Sequence, residues 1–93
     1  MILSFKCHET EVIWKGNYSL KFPREIQKRA LRKLRLLNIS TTLNDFRIPP
    51  SNHFKMLEDD RLGQYSIRIN LKWRICFKWD GMHTFDIEIV DYH

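Results

Sequence analysis

From residue 65 to the end, the chain repeats one pattern three times. Tyr65, Ile67 and Ile69 alternate with Ser66 and Arg68. Trp73, Ile75, Phe77 and Trp79 alternate with Arg74, Cys76 and Lys78, and Phe85, Ile87 and Ile89 alternate with Asp86 and Glu88. A period of two marks a strand with one buried face. Asp80-Gly81 is a two-residue hairpin signal between the second and third runs. Asn70-Leu71 is expected to turn the first pair, although Leu suits a left-handed turn position poorly and a longer connection is the alternative. The pattern predicts an antiparallel meander whose apolar face must be covered by something earlier in the chain.

The cover is legible upstream. Pro23 suits the first turn of a helix, where its missing N–H costs nothing. Ile26, Ala30, Leu31, Leu34 and Leu37 follow at helical spacing, and Asn38 is a suitable stop. The opposite side carries Arg24, Lys28, Arg29, Arg32, Lys33 and Arg35, read either as a solvated face or as an electrostatic footprint for RNA or an acidic partner. Ser40-Thr41-Thr42 offers caps for a short second helix over Leu43–Phe46, closed by Pro49-Pro50. Ile2–Lys6 reads as a first strand with Leu3 and Phe5 on one face. The stretch from Cys7 to Asn17 carries an apolar anchor, Val12-Ile13-Trp14, without a clear secondary structure. The expected fold is therefore α+β: an N-terminal strand and two helices packed on a mainly antiparallel, roughly four-stranded sheet, with residues 1–93 as one domain.

Composition narrows the class. An apolar share of 43% supports a core, so a disordered chain is not expected. No apolar run approaches the roughly 20 residues that span a bilayer, and the start lacks a basic region before its short apolar stretch. A cytoplasmic protein with no membrane partner is expected. Cys7 and Cys76 are too few for a disulfide framework and are expected to be reduced, with a pairing between them left open. Cys7-His8 has no second Cys/His pair at ligand spacing, so neither a metal nor another cofactor is expected. There are 16 Lys and Arg against 11 Asp and Glu. From Asp80 onward the only charged residues besides histidine are the acids Asp80, Asp86, Glu88 and Asp91, so the earlier part carries 16 basic residues against 7 acidic ones. That balance favours an acidic partner such as nucleic acid.

The last run stops on Asp91-Tyr92-His93: a carboxylate, a phenol and an imidazole, the groups a general acid–base site uses. The polar strand face would present Arg68, Arg74 and Lys78 as a basic concavity, and the loop after Pro50 carries His53 and Lys55. Cleaving RNA requires a base for the 2′-hydroxyl, an acid for the 5′-oxygen and cations for the charge at phosphorus. Each of these parts has a candidate.

Gly63-Gln64-Tyr65-Ser66-Ile67-Arg68-Ile69-Asn70, Trp73-Arg74-Ile75-Cys76-Phe77 and Glu88-Ile89-Val90-Asp91-Tyr92-His93, in that order, resemble the HigB-like branch of the RelE toxin superfamily. The resemblance extends to Arg29–Leu34 and Pro49-Pro50 and covers nearly the whole chain. It departs at Asn70-Leu71, where a polar second residue would be more typical. It implies a RelE-like fold and a ribosome-dependent endoribonuclease that cuts mRNA. A helix-turn-helix, HigA-like antitoxin would neutralise it, and operator DNA would be bound only through the antitoxin complex. The resemblance makes His93 the terminal catalytic histidine, with Tyr92 and Asp91 beside it, His53 the loop histidine and Arg74 the arginine at the scissile phosphate. Lys55, Arg68 and Lys78 are phosphate-binding candidates from charge and location alone. A non-enzymatic poison on the same fold, as in gyrase-inhibiting relatives, and a plain RNA-binding module are the competing readings.

Overall fold

The computed structural model describes residues 1–91. The meander forms as expected: β2 (Gln64–Arg68), β3 (Trp73–Trp79) and β4 (Thr84–Asp91) pair antiparallel in sequence order. The fourth strand is not the N-terminus but β1 (Lys55–Met56), two residues of the loop that lie antiparallel against Ser66 and Tyr65. The N-terminal segment instead runs parallel along the outer edge of β4 through isolated bridges, Ile2 to Thr84 and Phe5 to Ile87. Leu3 does not share a buried face with Phe5; it is exposed, while Ile2 and Phe5 pack against the core.

The apolar face is covered by α1 (His8–Trp14) and α2 (Arg24–Ile39). The first of these is the stretch that periodicity left unassigned. Two of its side chains are buried: Ile13 joins the core, and the Thr10 hydroxyl accepts the Ile89 amide of β4 at 3.0 Å. The longer helix follows its predicted stripe, burying Ile26, Ala30, Leu34 and Leu37, and starts after Pro23. Gln27 is also buried and secures the approach to α2. Its amide oxygen accepts the Ser19 N–H, and its nitrogen donates to the Ser19 and Phe22 carbonyls. At the far end Asn38 turns back to accept the Ile2 N–H at 3.0 Å. The predicted short helix is a 3-10 segment, Leu43–Arg47. The Thr41 and Thr42 amides donate to the Asp45 carboxylate and hold its pKa below the usual range. Helix and sheet residues meet in one core, which includes Ile13, Leu34, Leu37, Phe46, Ile67, Ile75, Phe77 and Ile87. Each fully buried side chain of this size contributes about 1.5–3 kcal/mol relative to exposure.

Two turns differ from the sequence expectation. The β3–β4 connection has four residues, Asp80–His83, because Trp79 pairs with Thr84. The Asp80 carboxylate closes it by accepting the Met82 and His83 amides at 2.9 and 2.6 Å, with Gly81 at φ +100°. The β2–β3 connection likewise turns on a side chain, Asn70 accepting the Lys72 and Trp73 amides. Leu71 therefore needs no left-handed conformation and sits exposed at the tip.

The alternation of β4 is broken once. Lys78 pairs with Phe85 and Cys76 with Glu88, so Asp86 and Ile87 together oppose Phe77. Asp86 takes the strain at φ +50°, a conformation Asp tolerates, and its amide donates to the Ser4 hydroxyl at 2.9 Å. One extra residue switches faces. Thr84 is buried with Ile87 and Ile89, while Phe85 pairs with Lys78 on the other face, contrary to the Phe85-Ile87-Ile89 reading.

Candidate functional site

Residues directly opposite on antiparallel strands point to the same face, so the register orders the outer surface of the sheet into rows. Arg68, Arg74 and Val90 form one row; Lys55, Ser66, Cys76 and Glu88 the next; Gln64, Lys78 and Phe85 the third. The three predicted strand cations thus share a face, but not one cluster. Lys78 is four residues from Arg74 along β3, about 13 Å at strand rise. It pairs with Asp86 at 3.4 Å. Between them, Arg61 reaches over from the 3-10 turn Asp59–Arg61 to Glu88 at 2.7 Å and Gln64 at 3.2 Å. Lys6 adds a longer contact to Glu88 at 3.8 Å. Cys76 lies buried in this middle row, and burial pushes its thiol pKa up.

Arg74 is the organising side chain. It is 6% exposed. Its Nε donates to the Ser66 hydroxyl at 2.9 Å, and a terminal nitrogen donates to the His53 carbonyl at 2.5 Å. These two bonds on different nitrogens restrict the rotation of the guanidinium and fix its orientation. The acids of the neighbouring strand, Asp86 and Glu88, engage Lys78 and Arg61.

His53 and Lys55 belong to a segment that looks loose in sequence and is not. Pro50–Asn52 makes a 3-10 turn, and His53 follows in the left-handed region at φ +44°. Asn52 is fully buried and donates to the Phe46 and Ile48 carbonyls. Phe54 stacks between Phe46 and Tyr65, with ring centroids at 5.8 and 5.6 Å, and Arg47 lies 5.1 Å above its ring. This aromatic anchor fixes the loop that brings the His53 backbone to Arg74 and places Lys55 opposite Ser66.

Asp91 ends β4 opposite Trp73, one position on from the Arg74–Val90 pair, and lies 3.4 Å from Lys72. By that register it stands on the side of Trp73, not of Arg74. Tyr92 and His93, the other two members of the terminal trio, lie outside the described residues. Both cysteines are free thiols. Among the described residues no group of three or more His, Cys, Asp or Glu is placed to hold a metal ion, and no helix is long and apolar enough to cross a membrane.

A cleft of about 530 Å³ opens beside this face, lined by Arg29 and Lys33 from α2, Ser51 and His53 from the loop, and Arg68 to Leu71 from the end of β2. Sequence reading placed Arg29 and Lys33 only in a basic stripe. The helical spacing of four put them on one side of α2, but nothing in it said that this side meets Arg68. Ser66 was also missed, being an unremarkable polar residue in a strand until its register with Cys76, the residue after Trp-Arg-Ile, places it beside Arg74.

A helix layer on one face of a four-stranded antiparallel sheet, with arginines fixed on the other, defines a small α+β protein with a cationic working surface. The family model for HigB-like toxins, the RelE-like toxin of the type II toxin–antitoxin system HigB, matches residues 5–93, and the chain belongs to this family. A protein of Vibrio cholerae serotype O1 named Toxin HigB-1 is 36% identical over 84 residues, 88% of this chain and 88% of that protein. An uncharacterised protein of Haemophilus influenzae is 37% identical over 66 residues, covering 71% of this chain and 65% of that protein, just under two thirds of its length. Membership of a type II toxin–antitoxin family implies an antitoxin as partner.

Proposed function

We propose that this toxin is a cytoplasmic endoribonuclease that cuts mRNA on the ribosome by metal-free acid–base chemistry. The observation that carries the reading is Arg74, a buried cation held by Ser66 and by the His53 backbone, beside Arg68 and next to the strand end from which the chain runs into Tyr92 and His93. In the proposed reaction a base removes the proton of the 2′-hydroxyl and the 2′-oxygen attacks phosphorus. The bond to the 5′-oxygen then breaks, and an acid protonates that oxygen. The products are a 2′,3′-cyclic phosphate and a 5′-hydroxyl end. His93 and His53 are the proton-transfer pair in this reading, since imidazole titrates near neutral pH. Arg74 stabilises the charge that builds on the phosphoryl oxygens, a contribution worth on the order of a hundredfold in rate per donor. Tyr92 positions or stacks on a base, Asp91 orients a histidine, and Lys55, Arg68 and Lys78 hold the backbone. A helix-turn-helix antitoxin neutralises the toxin, and operator DNA is reached only through that complex.

The test is purified protein added to programmed ribosomes, with cut sites read by primer extension. Wild type is expected to cut, and folded His93→Ala and Arg74→Ala variants are expected to leave the mRNA intact. Cleavage by folded His93→Ala would remove the assignment. Growth arrest with intact mRNA and blocked DNA supercoiling would move the chain to the gyrase-poison class.

A further inference from the structure

The cleft between α2 and the end of β2 joins Arg68 and His53 to two helix cations, Arg29 and Lys33, that the reading above leaves without a task. Its cations are Arg29, Lys33 and Arg68, joined by His53 and Ser51, and among the described residues no Asp or Glu lines it. Each cation is positioned without a counter-ion. One nitrogen of Arg29 donates to the Ile69 carbonyl at 3.1 Å. The Lys33 ammonium bonds to the Asn52 side-chain oxygen, and Asn52 is fixed in turn by its two bonds to the Phe46 and Ile48 carbonyls. Arg68 carries a buried Nε–H with no hydrogen-bond partner. Among the described residues none of the three makes a salt bridge. Burial and the neighbouring Arg29 and Arg32 charges lower the Lys33 pKa. Like charges held together by neutral acceptors are stabilised most by an anion, and a phosphate can take the fork of an arginine and the point charge of a lysine together.

We infer that this cleft is a second phosphate site, formed by Arg29, Lys33 and Arg68, that holds the RNA backbone away from the phosphate at Arg74. The inference rests on the ribonuclease reading for its ligand. Continuity favours RNA over an acidic protein segment: Arg68 is directly opposite Arg74 in the sheet, and His53 both lines the cleft and accepts Arg74 through its carbonyl. A strand of RNA crossing Arg74 therefore meets the cleft without leaving the protein surface.

The test uses the full chain and a short 2′-O-methyl RNA oligonucleotide, which cannot be cut through its 2′-oxygen, with binding followed by anisotropy across a salt series. Lys33→Gln, Arg29→Gln and Arg68→Gln are each expected to weaken binding roughly tenfold. Each should also flatten the slope of log K against log salt by about 0.7, the value for one lost phosphate contact on a single strand. Lys15→Gln makes the same change in net charge at an exposed site paired with Glu11 and is expected to leave both unchanged. A Lys15→Gln effect equal to those of the cleft variants would show diffuse attraction and overturn the site. So would cleft variants, folded by circular dichroism, that keep RNA affinity and lose only the antitoxin, which would assign the cleft to an acidic protein. Failure of the nuclease reading is a separate result: uncut mRNA on ribosomes, with cleft-dependent oligonucleotide binding intact, would remove the enzyme and leave the site.

Discussion

Ser66→Ala tests whether Arg74 is held where the structure puts it. Ser66 is fully buried and its hydroxyl is the acceptor for Arg74 Nε at 2.9 Å. Alanine deletes the acceptor and leaves a charged donor buried beside a methyl group. Hydrogen bonds to charged groups contribute about 1.5–3 kcal/mol, and the lower end applies here because the His53 carbonyl still holds the other side of the guanidinium. For a chain this small a loss of about 1.5 kcal/mol lowers Tm by roughly 6–12 °C. The guanidinium, freed on one side, should lose about tenfold in cleavage rate on programmed ribosomes, less than the hundredfold expected of Arg74→Ala. A double-mutant cycle isolates the bond: Ser66→Ala and Arg74→Ala should couple by about 1–2 kcal/mol in thermal melts. Additive losses, or a Ser66→Ala protein with wild-type Tm and cleavage, would refute the idea that this hydroxyl positions the arginine.

Three further outcomes follow from the same geometry. Asp86→Val should destabilise by about 1–2 kcal/mol, because a β-branched residue resists a left-handed backbone, whereas Asp86→Asn should keep most of the stability in the same melt. Phe54→Ala should cost about 2 kcal/mol, about half the usual loss for a fully buried phenylalanine, since Phe54 is half-buried. Hydrogen exchange should then rise across residues 50–57 before it rises in α2. Cys7 and Cys76 should differ in alkylation followed by mass spectrometry. Burial opposes ionisation of Cys7, but hydrogen bonds from Thr10 and Glu9 and the Lys21 charge outweigh it and lower its pKa, so it should react in the folded protein. Cys76, with a raised pKa, should react only on unfolding. Its stabilising contribution is complete below the unfolded thiol value near 9 and is lost as pH rises from there through the folded value. A Cys76→Ser protein that keeps the wild-type decline in stability above that pH would contradict the assignment.

Much of the fold could be read from period alone. The alternation from Tyr65 to Ile89 and the stripe from Ile26 to Leu37 each encode a face, and faces that are apolar must meet. The same reading put Arg68, Arg74 and Lys78 on one side of the sheet, and the register agrees. Period could not show where alternation breaks. The bulge at Asp86 depends on Ser4, 82 residues away, which receives the Asp86 amide. Nor could it assign α1, whose docking rests on partners distant in sequence, Ile13 in the shared core and the Thr10–Ile89 bond across the fold. The loop after Pro50 looked open because its order comes from Phe46 and Tyr65, which lie outside it, and from the burial of its own Asn52, which a polar residue type does not announce.

For the working surface the division is sharper. The sequence by itself determined which chemistry is present: a cationic face, a loop histidine and a terminal carboxylate, phenol and imidazole, with the family confirmed by comparison. Tertiary structure decided which charges act together. It tied Arg74 to Ser66 and His53, removed Lys78 from that group through Asp86, placed Asp91 beside Trp73 and Lys72, and brought Arg29 and Lys33 of the helix to Arg68 of the strand. The physical reason is range. Periodicity is set by bonds between near neighbours, whereas charges interact through space and find their partners only after the chain has closed.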